Sequence, residues 1–234
     1  MIGRQLHDNA SYSDKVFCPG YGEFFTEKTL DLEALAFAVP TDKLSESLPP
    51  ELLTIRSGVE KIYPAVSNDD WETIQNEINL IKTAWNSHKN SKKKISSGMA
   101  TQMDRAIRNI EGDTLEPGAL SQHKIGTLNG AIDIHFAILD LEMQYRSSEE
   151  IDRDRIVVWS QKILIDAVAM EQGFLLSDIR SLSLLHERLR SVLPTAKANS
   201  LIIRINRLHT ATRKEDFKTV TTISKQLLDT FKTR

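Results

Sequence analysis

Cysteine is nearly missing from this 234-residue chain. Cys18 is the only one, which excludes an internal disulfide and any metal site built from several thiolates. Helix breakers are scarce too: there are 10 Gly and 7 Pro, and Pro19, Pro40, Pro49 and Pro50 all fall within the first 50 residues. Beyond Glu51 the chain is poor in breakers and rich in Leu, Ile, Ala, Lys, Glu and Arg, the composition of helices. An excess of either charge is also lacking. Lys plus Arg number 30 and Asp plus Glu 32, a net charge of -2, so the many phosphate contacts of non-specific nucleic-acid binding are not expected. No apolar run approaches the roughly 20 residues that span a bilayer. Residues 1–13 contain no apolar stretch of the kind found in signal peptides. A leader removed upstream would leave the same sequence, so both a cytoplasmic and an extracytoplasmic location stay open. The common catalytic signatures are missing as well: there is no Gly-rich phosphate loop, Gly-x-Ser-x-Gly, Glu-x-x-His or His-x-x-x-His.

What the sequence does contain is helical periodicity. Residues 1–48 form an irregular N-terminal segment, with loop character at Asn9–Ser13 and Cys18–Gly22 and a short helix over Leu30–Ala38; Tyr21, Phe24 and Phe25 are its candidate anchors. From Pro49 onward, apolar residues recur at three- to four-residue spacing in about eight segments. Ile55, Val59, Ile62 and Val66 mark the first, with Pro64 a point of kinking or early termination. Trp71, Ile74, Ile78, Ile81 and Trp85 mark the second, and Met99, Met103, Ile107 and Ile110 the third. The fourth, near Leu120–Tyr145, carries Ile125, Leu128, Ile132, His135, Leu139 and Glu142 on one stripe. Ser147–Glu150 breaks it, and Ile156, Trp159, Ile163, Ala167 and Met170 define the fifth, about Asp152–Glu171; Gly173 marks a turn or kink, and Leu175, Ile179, Leu182, His186, Leu189 and Val192 the sixth. Ile205 with Leu208, and Phe217, Val220, Leu227 and Phe231, complete the set. The fold class is therefore all-α: helix–turn–helix hairpins over residues 49–234, as one bundle or as two four-helix halves, 49–146 and 151–234.

The first and last hairpins share one pattern. At a constant offset of 146, Val59, Ile62, Ala65, Asp70, Trp71, Ile74, Ile81 and Trp85 match Ile205, Leu208, Ala211, Asp216, Phe217, Val220, Leu227 and Phe231. A small residue lets the hairpin close, an acid caps the second helix and an aromatic anchors the seam. The fifth and sixth segments follow this loosely, with Phe174 in the aromatic role. The pattern loosely resembles tetratricopeptide-like repeats and the small helical bundles that bacteria export. The tetratricopeptide Trp, Gly-Tyr and Pro spacing is absent, and the period is irregular.

Five residues are candidates for a site. His135 and Glu142 lie seven apart on one helix face, where an inward imidazole with a nearby carboxylate can bind a metal or move a proton. His186 sits at the core edge of its helix, and Asp166 and Asp178 face each other across Gly173. The bland alternative, core residues satisfied by single hydrogen bonds, is the stronger expectation for all five. Trp71, Trp85 and Trp159 read as core anchors rather than a ligand pocket. The methionines are too dispersed for a copper site, and Cys18 has no local His to activate it. The basic run Lys89–Lys94 reads as a solvated loop, and Glu149–Arg155 as an acidic helix start with local ion pairs.

These observations point first to a non-enzymatic binding or scaffold protein, which engages a protein partner or a small ligand through a groove between hairpins or its N-terminal segment. The alternative is a bundle holding a metal- or haem-type cofactor through His135 and His186. Neither the cofactor nor the oligomeric state is specified by the sequence.

Overall fold

The computed structural model describes residues 2–6, 12–18, 22–26, 47–91, 95, 97–115 and 120–232. The chain divides into two units, Met1–Pro40 and Thr41–Arg234. In the first, strands β1 (Ile2–Leu6), β2 (Tyr12–Cys18) and β3 (Gly22–Thr26) pair antiparallel in the order β1-β2-β3. Ile2 stands opposite Val16 and Leu6 opposite Tyr12, and the β2–β3 register shifts between Val16 and Phe17. Tyr12, Ser13, Cys18 and Gly22, which read as loop, thus lie in strands; Tyr, Val and Phe suit a pleated backbone, and pairing overrides the turn-forming neighbours. The helix expected over Leu30–Ala38 lies outside the described residues, as does the anchoring role of Tyr21, Phe24 and Phe25.

The second unit carries eight helices among its described residues. They are α1 (Pro50–Ser67), α2 (Trp71–Lys89), α3 (Ser97–Leu115), α4 (Leu120–Glu142), α5 (Ser148–Ala169), α6 (Gln172–Leu189), α7 (Thr195–Arg213) and α8 (Phe217–Lys232). Their packing closes two rings. In one, α1, α2, α3 and α4 each touch the next and α4 returns to α1; in the other, α5, α6, α7 and α8 do the same. The rings meet through α4 against α5. These two helices each have three helical neighbours, which explains why apolar residues surround them instead of forming one stripe. Ala131, Ile132, Ile134, Ile138, Leu139 and Leu141 of α4 are all buried. The second ring encloses a continuous core that includes Ile156, Ile163, Leu182, Leu201, Leu208 and Leu227, with Trp159, Phe217 and Phe231 packed on its edge. No described helix is long and apolar enough to cross a membrane.

Local chemistry sets the helix ends. Pro49 and Pro50 start α1, and the helix runs through Pro64 to Ser67 instead of ending early; proline only deprives the Glu60 carbonyl of its intrahelical donor. Helix α5 begins four residues before the expected Asp152, because Ser147 and Glu150 form a reciprocal capping box. The α1–α2 and α7–α8 turns have the same geometry. Asp69 and Glu215 take φ of 57° and 56°, and Asp70 N–H and Asp216 N–H donate to the carbonyls of Ala65 and Ala211 at 2.9 and 3.0 Å. The Asp70 and Asp216 carboxylates each accept from the backbone three residues on, Thr73 and Thr219, at 3.0 Å. The α5–α6 turn repeats the backbone path without the acid cap: Met170 has φ 60° and Glu171 N–H reaches the Asp166 carbonyl at 3.0 Å. Gly173 therefore does not make this turn; it lies inside α6. Phe174 is 61% exposed, so it does not fill the anchoring role expected of it. The first and last hairpins do not pack on each other.

Two glycines sit where helices approach closely. A Cβ on Gly130 would come within 2.7 Å of Ile110 Cβ, and one on Gly58 within 2.8 Å of Ile81 Cγ1.

Candidate functional site

Helix α4 brings His135 and Glu142 to the same face, but to different partners. Glu142 is wholly buried at the end of α4 and is paired with Arg56 from α1 and with Arg146, whose Nη1 lies 2.8 Å away. Arg146 also reaches Asp154 of α5 at 2.7 Å, and Arg56 stands 3.6 Å from the same carboxylate. Two guanidinium groups and two carboxylates thus cancel one another at the junction of α1, α4 and α5. Glu142 is not a carboxylate partner for His135, as the seven-residue spacing suggested. Its charge is taken up by the arginines, although its Oε1 accepts no hydrogen bond.

His135 is 6% exposed and faces Tyr63 of α1, whose hydroxyl lies 3.4 Å from Nδ1. Burial, and then the positive charge of Arg56, hold the imidazole pKa down to about 4, so the ring is neutral at pH 7. Burial, with Glu60 and Asp133 nearby, pushes the Tyr63 hydroxyl well above its usual range. Neither group of this pair is therefore charged near neutrality. A neutral imidazole beside a neutral phenol can orient a polar ligand by hydrogen bonding.

This pair lines a cavity of about 300 Å³ between α1, α4, α5 and α8, together with Arg56, Glu60, Asp154, Gln161 and Lys232. A second cavity of about 600 Å³ lies alongside and is lined by Pro64, Ile125, Leu128, Leu164, Val168 and Leu228, among others. Glu60, Tyr63, Gln161 and Lys232 line both. The two form one cleft with a polar end and an apolar end. Helices α1 and α8 are its walls; they do not touch each other, whereas α4 and α5 pack together as its floor. Gln161 is buried, yet its Oε1 has no hydrogen-bond partner.

Asp166 and Asp178 are brought together as the turn between α5 and α6 suggested. Lys162 Nζ holds Asp166 at 2.6 Å. Asp178 Oδ2 meets no donor, and burial together with the neighbouring Asp166 carboxylate pushes its pKa up to about 8. The pair therefore keeps one proton near pH 7. His186 is buried on α6, and its nearest carboxylate is Glu187, 3.7 Å from Nδ1. Helices α4 and α6 do not touch, so His135 and His186 do not share a site. Among the described residues, no three His, Cys, Asp or Glu side chains group as metal ligands.

The tryptophans are dispersed. Trp85 donates to Asp104 at 2.7 Å, Trp159 packs on Phe136 with ring centroids 4.7 Å apart, and Trp71 opens α2. Lys89 pairs with Asp104 at 2.6 Å; Lys92–Lys94 lie outside the described residues. Compared with protein-family models, with curated proteins and with solved structures, the chain matches none.

Proposed function

We propose that this protein is a non-enzymatic helical binding protein and that its ligand site is the cleft between α1 and α8. The observation that carries this reading is the cleft itself, a polar and an apolar compartment that share Glu60, Tyr63, Gln161 and Lys232 in their lining. Ligand sites are mostly apolar hollows with a few fixed polar groups, commonly between the helices of bundles. The ion cluster of Arg56, Arg146, Glu142 and Asp154 fixes the polar end. The first and last hairpins, read as copies of one pattern, supply a wall each: α1 from one and α8 from the other. A cofactor-holding bundle has less support, since His135 and His186 lie on helices that do not touch.

Titration with the neutral apolar fluorophore N-phenyl-1-naphthylamine tests the reading. Saturable enhancement is expected for the native protein, with loss in Leu164→Trp and Leu228→Trp, which fill the apolar end. No enhancement, or enhancement unchanged in both variants, would refute it.

A further inference from the structure

The charges that line the cleft do not cancel. Arg56 and Asp154 belong to the ion cluster with Arg146 and Glu142, which balances two of each sign. The other charged residues of the lining are Glu60, Lys225 and Lys232, one negative against two positive. Among the described residues none of these three has a salt-bridge partner, and all three are exposed. The surplus also has a definite place. Thr221, Lys225, Leu228 and Lys232 recur every three or four residues along α8 and form one stripe on the cleft. Seven residues of helix set the two lysines about 10 Å apart along that stripe. Lys232 and Glu60 line both compartments, whereas Lys225 lines the apolar one alone. Glu60 thus offsets Lys232 where the compartments join, and Lys225 is the cation left over.

A lysine in such a place covers the wall with its methylene stem and keeps its ammonium in water at the mouth. Around it, Ile125, Leu128, Leu164, Val168 and Leu228 offer aliphatic surface. A hydrocarbon chain suits that surface, and its head group then meets Lys225. A cationic head is repelled by both lysines, and a neutral one leaves the surplus charge unanswered. A phosphate monoester carries about -1.5 to -2 near neutrality, more than the single surplus charge. A carboxylate carries one. We propose that the apolar compartment holds the hydrocarbon chain of a long-chain carboxylate and that Lys225 receives its head group. This inference rests on the cleft being a ligand site at all.

The test displaces bound N-phenyl-1-naphthylamine from the full-length protein with four ligands of one chain length, each below its micellar concentration. They are dodecanoate, dodecan-1-ol, dodecyltrimethylammonium and dodecyl phosphate. Dodecanoate is expected to displace the probe at about tenfold lower concentration than dodecan-1-ol, the scale of one partly desolvated charge pair. The ammonium compound should be the weakest of the four. In Lys225→Met, which keeps an apolar stem, the advantage of dodecanoate over dodecan-1-ol should vanish while the probe binds as before. Glu60→Gln removes the opposing charge and should tighten dodecanoate severalfold without changing dodecan-1-ol. Both residues are exposed, so neither substitution opens the core. Equal displacement by dodecanoate and dodecan-1-ol would overturn the proposal. So would tighter displacement by the ammonium compound or by dodecyl phosphate, or a dodecanoate advantage that survives in Lys225→Met. If the probe binds the cleft and no dodecyl compound displaces it, the carboxylate inference falls and the cleft stands as a site. If the probe itself does not bind, both fall.

Discussion

Replacing Asp178 by Asn should change how stability depends on pH, in a direction the structure fixes. The Asp178 carboxyl keeps its proton to about pH 8 in the folded protein, against 3.8 for an unperturbed aspartate. Between those limits the folded state binds one more proton than the unfolded state. Stability therefore falls as pH rises, by up to about 1.4 kcal/mol per pH unit. His135 acts oppositely. Its pKa drops from 6.5 to about 4 on folding, so between those values the unfolded chain binds the extra proton and stability rises with pH at a similar slope. From pH 5 to 6 the two slopes cancel; above 6.5 the Asp178 slope is left alone. In Asp178→Asn, the amide can donate to Asp166 without a titrating proton, and the His135 slope should appear uncovered below pH 6.5. Relative to the native protein, the variant should gain about 3 kcal/mol on going from pH 5 to 7.5. In His135→Gln the remaining Asp178 slope should make stability fall steadily over pH 5–6.5. Urea unfolding at half-unit pH steps measures all three proteins. Parallel profiles for native protein and Asp178→Asn from pH 5 to 7.5 would refute the shared-proton account.

Three further outcomes follow from packing and backbone. Gly130→Ala forces a methyl against Ile110 Cα and Cβ, so α3 must move, and unfolding free energy should drop by about 1–3 kcal/mol; a drop no larger than that of Gly58→Ala, where the end of the Ile81 side chain can turn away, would contradict this. Met170→Gly removes a side chain from a left-handed position and should stabilise the protein by about 1 kcal/mol, read as a rise in thermal midpoint. Glu142→Ala leaves Arg56 and Arg146 with less compensating charge in a buried place and should destabilise by about 3–5 kcal/mol; retention of the native urea midpoint would show that the cluster does not hold the junction.

The helices were legible because their apolar spacing is local, and so was the acid cap at Asp70 and Asp216. The α5 start was legible too, as Ser147 with Glu150 three residues on, but the neighbouring Ser and Glu read as a break. Gly173 drew the turn toward itself, whereas the chain reverses at Met170, a residue type that gives no such signal. At the site, helical phase found His135 and Glu142 and paired Asp166 with Asp178. It could not find Arg56, Tyr63, Gln161 or Lys232, because what matters about them is set across four helices far apart in sequence. Phase also could not tell that Glu142 answers to arginines rather than to His135.

The two rings are joined by α4 packed on α5 and by the Arg56–Asp154 bridge. Mechanically the rings are two leaves meeting at one joint. The cleft walls, α1 and α8, belong to opposite rings, so whatever occupies the cleft spans the joint and fastens the two leaves. Binding should then show as cooperativity: with the cleft filled, the two rings should unfold together, and with it empty the first ring to loosen should not take the other with it.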